Sequence, residues 1–193
     1  MRAVVCDRWG GPEVMQLRHW QPPTSAEGQV RIAVKAFGLN RAELFTRQGD
    51  SPGVTLPRVI GIECVGTVID APGTDFKPGQ TVAAMMGGMG RQFDGSYAEI
   101  TRVPASSVFA LDTGLKFSAL AALPEMFQTT NGSLTVGLDV QPGESLLIRG
   151  GTSTIGLLTA ALAKVRGANV IATTRRADRA DKLLANGADH VVV

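Results

Sequence analysis

The sequence is poor in cysteine and histidine, with two of each among 193 residues. Cys6 and Cys64 lie in apolar, strand-like segments, so we expect both to be buried free thiols in a reducing cytoplasm. His19 and His190 stand alone, and we expect them to be structural or surface residues. Because no group of His and Cys has the spacing of metal ligands, the sequence predicts no zinc site.

Charge and hydropathy exclude further classes of protein. The formal net charge of +2 is too small to indicate a nucleic acid or an anionic membrane as partner. No apolar run approaches the roughly 20 residues of a membrane span. The N-terminus lacks the charged-then-apolar pattern of a secretion signal. We therefore expect a cytoplasmic protein without nucleic-acid or membrane partners.

Short strands dominate residues 1–115, and the apolar content of 44% supports a folded core. Turn residues separate the strands at regular intervals, which predicts a small β-barrel domain. One or two helical turns are predicted at Asn40–Arg47. The predicted strands are Arg2–Cys6, Val14–His19, Gln29–Ala36, Cys64–Ile69, Thr81–Met86, Gly95–Val103 and Ser107–Leu111.

The pattern changes to helices and parallel strands in residues 116–193. Ser145–Ile148 is a short apolar run, typical of a strand buried on both faces of a parallel sheet. Apolar residues at helical spacing then predict a helix that packs on the sheet through Ile155, Leu158, Leu162 and Val165, with Ala160, Ala161 and Ala163 allowing close approach. The other predicted elements are helices Phe117–Leu123, Pro124–Leu134 and Ala180–Asn186 and strands Asn169–Thr173 and His190–Val193.

The turn between the first of these strands and its helix resembles a dinucleotide-binding fingerprint. Its key positions are Gly150, Ser153 and Gly156, with serine in place of the middle glycine. Backbone N–H groups and the positive end of the helix dipole can hold a pyrophosphate there. Ser153 can cap the helix and also approach a phosphate. The alternative is a tight turn that binds no ligand.

The residues after the second strand indicate which dinucleotide binds. NAD-binding units usually carry Asp or Glu there, for the ribose 2′-hydroxyl, whereas this chain has hydroxyl and guanidinium groups that suit a 2′-phosphate. The alternative is a solvated basic helix start, although arginines at a helix N-terminus oppose the dipole. The sequence therefore predicts NADP as cofactor. The candidate binding residues in this unit are Gly150, Gly151, Thr152, Ser153, Thr154, Ile155, Gly156, Thr173, Thr174, Arg175, Arg176 and Arg179.

Six segments of the chain carry a resemblance when they are taken together in this order: Gly38–Gly49, Pro57–Val68, Lys77–Val82, Asp94–Glu99, Gln141–Ile148 and Asn186–Asp189. They resemble the zinc-free, quinone oxidoreductase-like branch of the medium-chain dehydrogenase/reductase family. The resemblance covers nearly the whole chain. It implies an α/β fold with a β-rich domain: a GroES-like β-barrel for substrate and catalysis over residues 1–115, then the first half of a Rossmann doubly wound sheet, with three parallel strands, over residues 116–193.

The resemblance also implies a function. It implies an NADPH-dependent reductase that transfers hydride to a quinone, enone or related carbonyl substrate and that forms a homodimer. Zinc-dependent relatives carry a Cys just after the first glycine of the first segment and a His between Gly and Glu in the second. Leu39, Asn40 and Ile62 occupy those places here. Ile62 cannot bind a metal, so the resemblance implies no metal-binding residue.

Individual roles follow from the same resemblance. Asn40 is implied to lie near the nicotinamide, where it binds the cofactor or a carbonyl substrate; a helix N-cap is the alternative, and both roles can hold. Thr129 matches a threonine near the nicotinamide ribose, with a surface helix position as the alternative. Phe45 stands where many relatives have tyrosine and cannot donate a proton, so water or another side chain must do so.

The sequence gives less specific predictions for three side chains and one loop. We expect Tyr97 and Glu63 to be structural. Arg47 shapes the cleft between the domains or forms a salt bridge. The loop Met85–Arg91 is expected to shape the substrate site.

Three strands are half of what a doubly wound sheet normally contains, in the order 3-2-1-4-5-6. The first strand, Ser145–Ile148, would then have an open edge. Three explanations of the missing strands are open. The chain is part of a longer gene product, it is a cleaved or partly described chain, or it is a natural short form that dimerises so that its partner supplies the strands. Two other functions stay open: a non-catalytic NADP-binding module, and a β-barrel fragment that binds no nucleotide.

Overall fold

Antiparallel strands form the first part of the computed structural model, which describes residues 1–193. The strands are β1 (Arg2–Cys6), β2 (Met15–His19), β3 (Gln29–Ala36), β4 (Arg58–Val59), β5 (Glu63–Asp70), β6 (Thr81–Met85), β7 (Ile100–Pro104) and β8 (Val108–Ala110). They pair as a three-stranded sheet, β2-β1-β4, and a five-stranded sheet, β7-β3-β5-β6-β8.

The five-stranded sheet curls around an apolar core, which confirms the predicted β-barrel. Alternate residues of β3 and β7 point into this core, as expected for strands with one buried face. Cys64 lies in the core and Cys6 is buried in β1, so both are buried free thiols as predicted. The core residues are Val30, Ile32, Cys64, Val68, Val82, Ala84, Met89, Val103 and Val108.

The predicted strand Gly95–Val103 is wrong in its first half. Only Ile100–Pro104 is regular strand, because the preceding residues cross between the two sheets. The Tyr97 carbonyl accepts the Val4 N–H at 2.8 Å, whereas the Glu99 carbonyl accepts the Val34 N–H at 2.9 Å. This segment therefore joins the three-stranded sheet to the five-stranded one.

Five α-helices complete the fold. They are α1 (Arg41–Gln48), α2 (Phe117–Leu120), α3 (Pro124–Gly132), α4 (Thr154–Val165) and α5 (Ala180–Ala185). The predicted helix Phe117–Leu123 is shorter than expected, since Ala121 ends α2 and packs with Leu120 against Val65 and Ala83.

Three parallel strands form the last sheet, which confirms the predicted half of a doubly wound fold. They are β9 (Ser145–Ile148), β10 (Asn169–Thr173) and β11 (His190–Val192), in the spatial order β11-β10-β9. The first strand of this unit is therefore at the edge, as predicted. The expectation that it is buried on both faces is wrong, because Leu147 is 64% exposed.

Small residues form the buried face of α4. Gly156, Ala160 and Ala163 are buried, and the two alanines pack in one cluster with Val170 and Ala172 of β10. The prediction that larger residues make the packing stripe is wrong at its end, since Val165 is 86% exposed. Close approach of helix and sheet selects small side chains here, and the larger ones lie along the flanks.

The structure separates into two units, Met1–Glu125 and Met126–Val193. The predicted domain boundary after residue 115 stays a prediction. Both histidines are exposed, in agreement with a surface location. None of the helices combines the length and hydropathy needed to cross a membrane.

Candidate functional site

The Gly-rich turn after β9 is tied to the end of β10. The Gly150 N–H donates to Thr173 Oγ1 at 3.0 Å, and the Gly151 N–H donates to the Thr173 carbonyl at 2.9 Å. Parallel pairing of β9 with β10 brings these carboxyl ends together. The structure thus joins two groups of predicted residues, the turn and the segment after β10.

Ser153 is the N-cap of α4, as the sequence predicts. Its hydroxyl accepts the Gly156 N–H at 3.0 Å and donates to the Gly150 carbonyl at 2.9 Å. Because the hydroxyl is engaged on both sides, a direct contact of Ser153 with a phosphate would require one of these bonds to break.

Gly156 is the position at which the turn tolerates no side chain. A Cβ atom there would lie 2.5 Å from the Gly150 carbonyl oxygen and 2.8 Å from the Gly151 Cα. Both obstacles are backbone atoms that cannot rotate away. The glycine is therefore required for close packing of the helix start against the turn.

Three backbone donors remain at this turn. The N–H groups of Thr152, Thr154 and Ile155 have no partner among the hydrogen bonds of the turn and helix start. Unpaired N–H groups and the helix dipole together favour an anion at this position. The residues present therefore fit a dinucleotide pyrophosphate.

The basic segment after β10 is largely exposed, but its backbone is fixed. The buried Thr174 hydroxyl accepts the Arg176 N–H at 3.1 Å. The Arg176 guanidinium donates to both carboxylate oxygens of Asp178, at 3.0 and 2.5 Å, and this hydrogen bonding holds the pKa of Asp178 below its usual range. Arg175 and Arg179 are exposed and form none of the ion pairs of the structure. These two side chains are more available to a new anion than Arg176.

Thr129 lies on α3, in the same unit as the turn. It is exposed, and its carbonyl accepts the Ser133 hydroxyl at 2.8 Å. The surface-helix alternative describes this position correctly, and a contact with a nicotinamide ribose stays a prediction.

Asn40 lies in the other unit, as the N-cap residue of α1. Its backbone N–H donates to Glu43 Oε2 at 2.6 Å, and its side-chain Nδ2 donates to Glu63 Oε1 at 2.8 Å. An amide nitrogen carries two hydrogens, so Glu63 uses one of them. The N-cap alternative is confirmed, and the predicted contact with cofactor or substrate stays a prediction.

Two buried carboxylates surround Asn40, and sequence reasoning missed the role of one. Glu43 accepts the Ile62 N–H at 2.9 Å and the Tyr97 hydroxyl at 2.7 Å, besides the Asn40 N–H. Its place in the third position of α1, after an Asn N-cap, is a capping-box signal that was present in the sequence.

Glu63 has the structural surroundings that the sequence predicts. Its Oε2 accepts the Glu125 N–H at 2.8 Å, and a Cβ on Gly38 would collide with its carboxylate. Burial raises the pKa of Glu63, against the lowering effect of these hydrogen bonds. The carboxylates of Glu43 and Glu63 thus hold the start of α1 from two directions.

Tyr97 packs in the barrel, as predicted, and also bonds to Glu43. Its ring stacks on Phe37 with 4.6 Å between centroids. Burial and the carboxylate of Glu43 raise the pKa of Tyr97, so its hydroxyl keeps its proton. Both observations describe a structural side chain.

Residues 26–113 match the alcohol dehydrogenase GroES-like domain. The quinone oxidoreductase of Homo sapiens is 32% identical over 196 residues, and the alignment covers 99% of this chain and 58% of the human protein. Among solved structures, the Escherichia coli quinone oxidoreductase complexed with NADPH has a TM-score of 0.88 at 26% identity, covering 100% of this chain and 58% of that one. An NAD-dependent alcohol dehydrogenase has a TM-score of 0.90 at 30% identity, covering 100% and 63%.

The chain is a quinone oxidoreductase-like member of the medium-chain dehydrogenase/reductase family. It spans 54 to 58% of the length of the curated quinone oxidoreductases that it matches. The resemblance noted from the six sequence segments is confirmed.

The resemblance places zinc ligands of other relatives at positions that hold Leu39, Asn40 and Ile62 in this chain, and the Leu and Ile side chains have no atom that binds a metal. Ile62 is buried and apolar, and Leu39 is 80% exposed. No group of three or more His, Cys, Asp or Glu side chains is arranged to hold a metal ion. The prediction of a reaction without zinc stays a prediction.

Two other positions of the chain, Arg47 and Phe45, have different surroundings. Arg47 is buried and donates to the Gly10 carbonyl at 2.7 Å, and it belongs to none of the ion pairs, so the salt-bridge alternative is wrong. Phe45 is 42% exposed, and the Arg41 guanidinium lies 5.7 Å from its ring centroid. Neither side chain offers a proton to a substrate.

Proposed function

We propose that this protein is an NADPH-dependent oxidoreductase that transfers hydride to a quinone, enone or related carbonyl substrate without zinc. The observation that carries the proposal is the turn at the start of α4, where three unpartnered N–H groups adjoin a segment of exposed arginines. The relatives named quinone oxidoreductase, one of them complexed with NADPH, support it.

Each part of the cofactor would have its own set of residues. The N–H groups of Thr152, Thr154 and Ile155 bind the pyrophosphate. Arg175 and Arg179 bind the 2′-phosphate, and Arg176 joins them when it leaves Asp178. Gly150, Gly151, Ser153, Gly156, Thr173 and Thr174 keep the turn and strand end in place.

The nicotinamide side rests on fewer residues. Asn40 would hold the cofactor amide or the substrate carbonyl, with its orientation set by Glu43 and Glu63. Thr129 would contact the adjacent ribose. NADPH, when bound, supplies the hydride, and the protein orients it and excludes water.

The choice between NADPH and NADH is the sharpest test. The end of β10 carries Thr and Arg instead of Asp or Glu, yet one similar structure is an NAD-dependent enzyme. Calorimetric titration of the 193-residue protein with NADPH and with NADH measures the preference directly. We expect at least about tenfold tighter binding of NADPH, since a dianion gains charge-assisted hydrogen bonds from the guanidinium groups.

A double variant assigns that preference to residues. Arg175→Gln with Arg179→Gln is expected to weaken NADPH and to leave NADH nearly unchanged. The matched control is Arg8→Gln with Lys35→Gln, which removes the same charge from exposed positions of the other unit. Equal affinity for the two cofactors in the unmodified protein, or tighter NADH, contradicts the proposal.

A second candidate is a non-catalytic NADP-binding module. It is favoured by Phe45, which has no proton to donate and lies beneath the Arg41 guanidinium. Spectrophotometric oxidation of NADPH in the presence of quinones and enones separates the two. Binding with turnover supports the reductase, and binding without turnover of any of them supports the module.

The quaternary structure is part of the proposal as well. We infer a homodimer, because the resemblance to this family implies one. Light scattering of the purified protein measures the mass, and a value of one 20.2 kDa chain at all concentrations contradicts the inference.

A further inference from the structure

A cavity of about 340 Å³ lies within the barrel unit, beside the start of α1. It is small but within the range of roughly 300–1,000 Å³ typical of ligand pockets. Most of its wall is apolar, and a single cationic side chain lines it. The residues that matter to the argument are Ala42, Pro52, Ile62, Met86, Met89 and Arg91.

The cation, Arg91, has no counterion. It is half-buried, and its guanidinium takes part in none of the ion pairs or side-chain hydrogen bonds of the structure. The other partly buried arginines of this unit are engaged: Arg18, Arg31 and Arg58 pair with aspartates, and Arg102 donates to a backbone carbonyl. A partly desolvated guanidinium without a partner is unfavourable, so its presence in a cavity wall indicates a ligand of opposite charge.

The loop that carries Arg91 is held in place. Met89 is buried in the barrel core, and the Met86 N–H donates to the Ile62 carbonyl at 2.8 Å. The Arg91 N–H donates to the Gly88 carbonyl at 3.1 Å. A Cβ on Gly90, whose φ is +72°, would lie 2.6 Å from the Gly61 carbonyl oxygen. The guanidinium is therefore presented by a fixed segment, which favours specific binding over a chance surface contact.

We propose that this cavity takes a carbonyl substrate that bears a carboxylate, with Arg91 as the residue that selects it. The planar guanidinium pairs with the carboxylate through two parallel hydrogen bonds. The apolar part of the molecule lies against Pro52, Ile62 and Met86. That the bound molecule is the substrate rests on the proposed function; the preference of the cavity for a carboxylate does not.

The test uses two unreactive probes and no cofactor. Naphthalene-2-carboxylate and its methyl ester have the same ring system, but only the carboxylate carries the negative charge that Arg91 would bind. Calorimetric titration of the 193-residue protein at low ionic strength is expected to show at least about tenfold tighter binding of the carboxylate. Added salt is expected to reduce that difference.

Variants then assign the preference to one side chain. Arg91→Met is expected to bind both probes equally, whereas Arg91→Lys retains part of the preference because it keeps the charge without the planar fork. Arg8→Met, an exposed position elsewhere in the unit, is the charge-matched control and keeps the full preference. Circular dichroism melts of all variants verify that each is folded.

Equal binding of the two probes by the unmodified protein overturns the proposal, as does an undiminished preference in folded Arg91→Met. Failure of the proposed function has a different signature. If NADPH does not bind while the carboxylate probe binds through Arg91, the proposed carboxylate site stands and the proposed reductase function is contradicted.

Discussion

Asn40 and the arginines that follow β10 are both candidates for ligand contact, but their surroundings differ. Asn40 is held by Glu43 and Glu63, which are each only 3% exposed. The ion pair of Arg176 with Asp178 has both side chains about 60% exposed, at 62% and 60%. Changes in the barrel unit should therefore reduce stability, whereas changes in the basic segment should alter only affinity.

The strongest test of this comparison is Glu43→Ala. Three donors lose their acceptor, namely the N–H groups of Asn40 and Ile62 and the hydroxyl of Tyr97. At roughly 1 kcal/mol or more for each unpaired donor, we expect a loss of at least about 3 kcal/mol in the free energy of unfolding. Urea denaturation measures it.

The control for Glu43 is Glu13→Ala. Glu13 is exposed and accepts one hydrogen bond, from the Gly11 N–H at 2.9 Å. We expect a loss below about 1 kcal/mol. Similar losses for the two variants would show that the buried carboxylate does not stabilise the barrel unit more than a surface one.

The second test concerns the turn at the start of α4. Gly156→Ala places a methyl group against backbone atoms of Gly150 and Gly151, so the helix must move away. We expect a loss of about 1–3 kcal/mol in unfolding free energy and weaker NADPH binding. Gly132→Ala is the matched control, because nothing lies within 4 Å of its added Cβ and it is helical. This control is expected to be neutral or to gain up to about 1 kcal/mol.

The difference between local and long-range contacts explains which elements could be predicted from the sequence. Strand and helix positions follow from local patterns, and β3, β5 and β10 lie within one residue of the predicted bounds. The predicted strand from Gly95 fails because its bonding alternates between two sheets, which no local pattern encodes.

Among the site residues, contacts between neighbours in the chain could be predicted, and contacts between distant residues could not. The Ser153 cap depends on neighbours in the chain and was predictable. The bonds that Glu43 makes to Ile62 and Tyr97 join residues 19 and 54 positions apart, so they needed the fold. The pairing of Arg176 with Asp178 is local, but the sequence could not say whether Asp178 or solvent would engage that guanidinium.

The pH dependence of stability tests the effect of burial on Glu63. Burial raises the pKa of Glu63 above its ordinary value of 4.5, so the folded state binds more protons than the unfolded state above that pH. This contribution to stability is therefore present at low pH and is lost as the pH rises from 4.5 through the raised pKa.

Glu63→Gln removes that titration. The stability of the variant relative to the unmodified protein is expected to increase as the pH rises above 4.5, in urea denaturation at several pH values. Other carboxyl groups titrate in both proteins, so their effects cancel in the difference. A difference that does not change with pH would show that burial does not perturb this carboxyl group.

The smallest expected effect is that of Asp178→Asn in the basic segment. The substitution releases the Arg176 guanidinium from an exposed pair, so stability should not change measurably. If the arginines bind a 2′-phosphate, the freed guanidinium should tighten NADPH by no more than about fivefold and leave NADH unchanged. Because both groups are exposed, this gain should shrink as salt is added. Asp181→Asn, an exposed position one turn further along the chain, is the charge-matched control, and an equal gain in it would assign the effect to net charge instead of to Arg176.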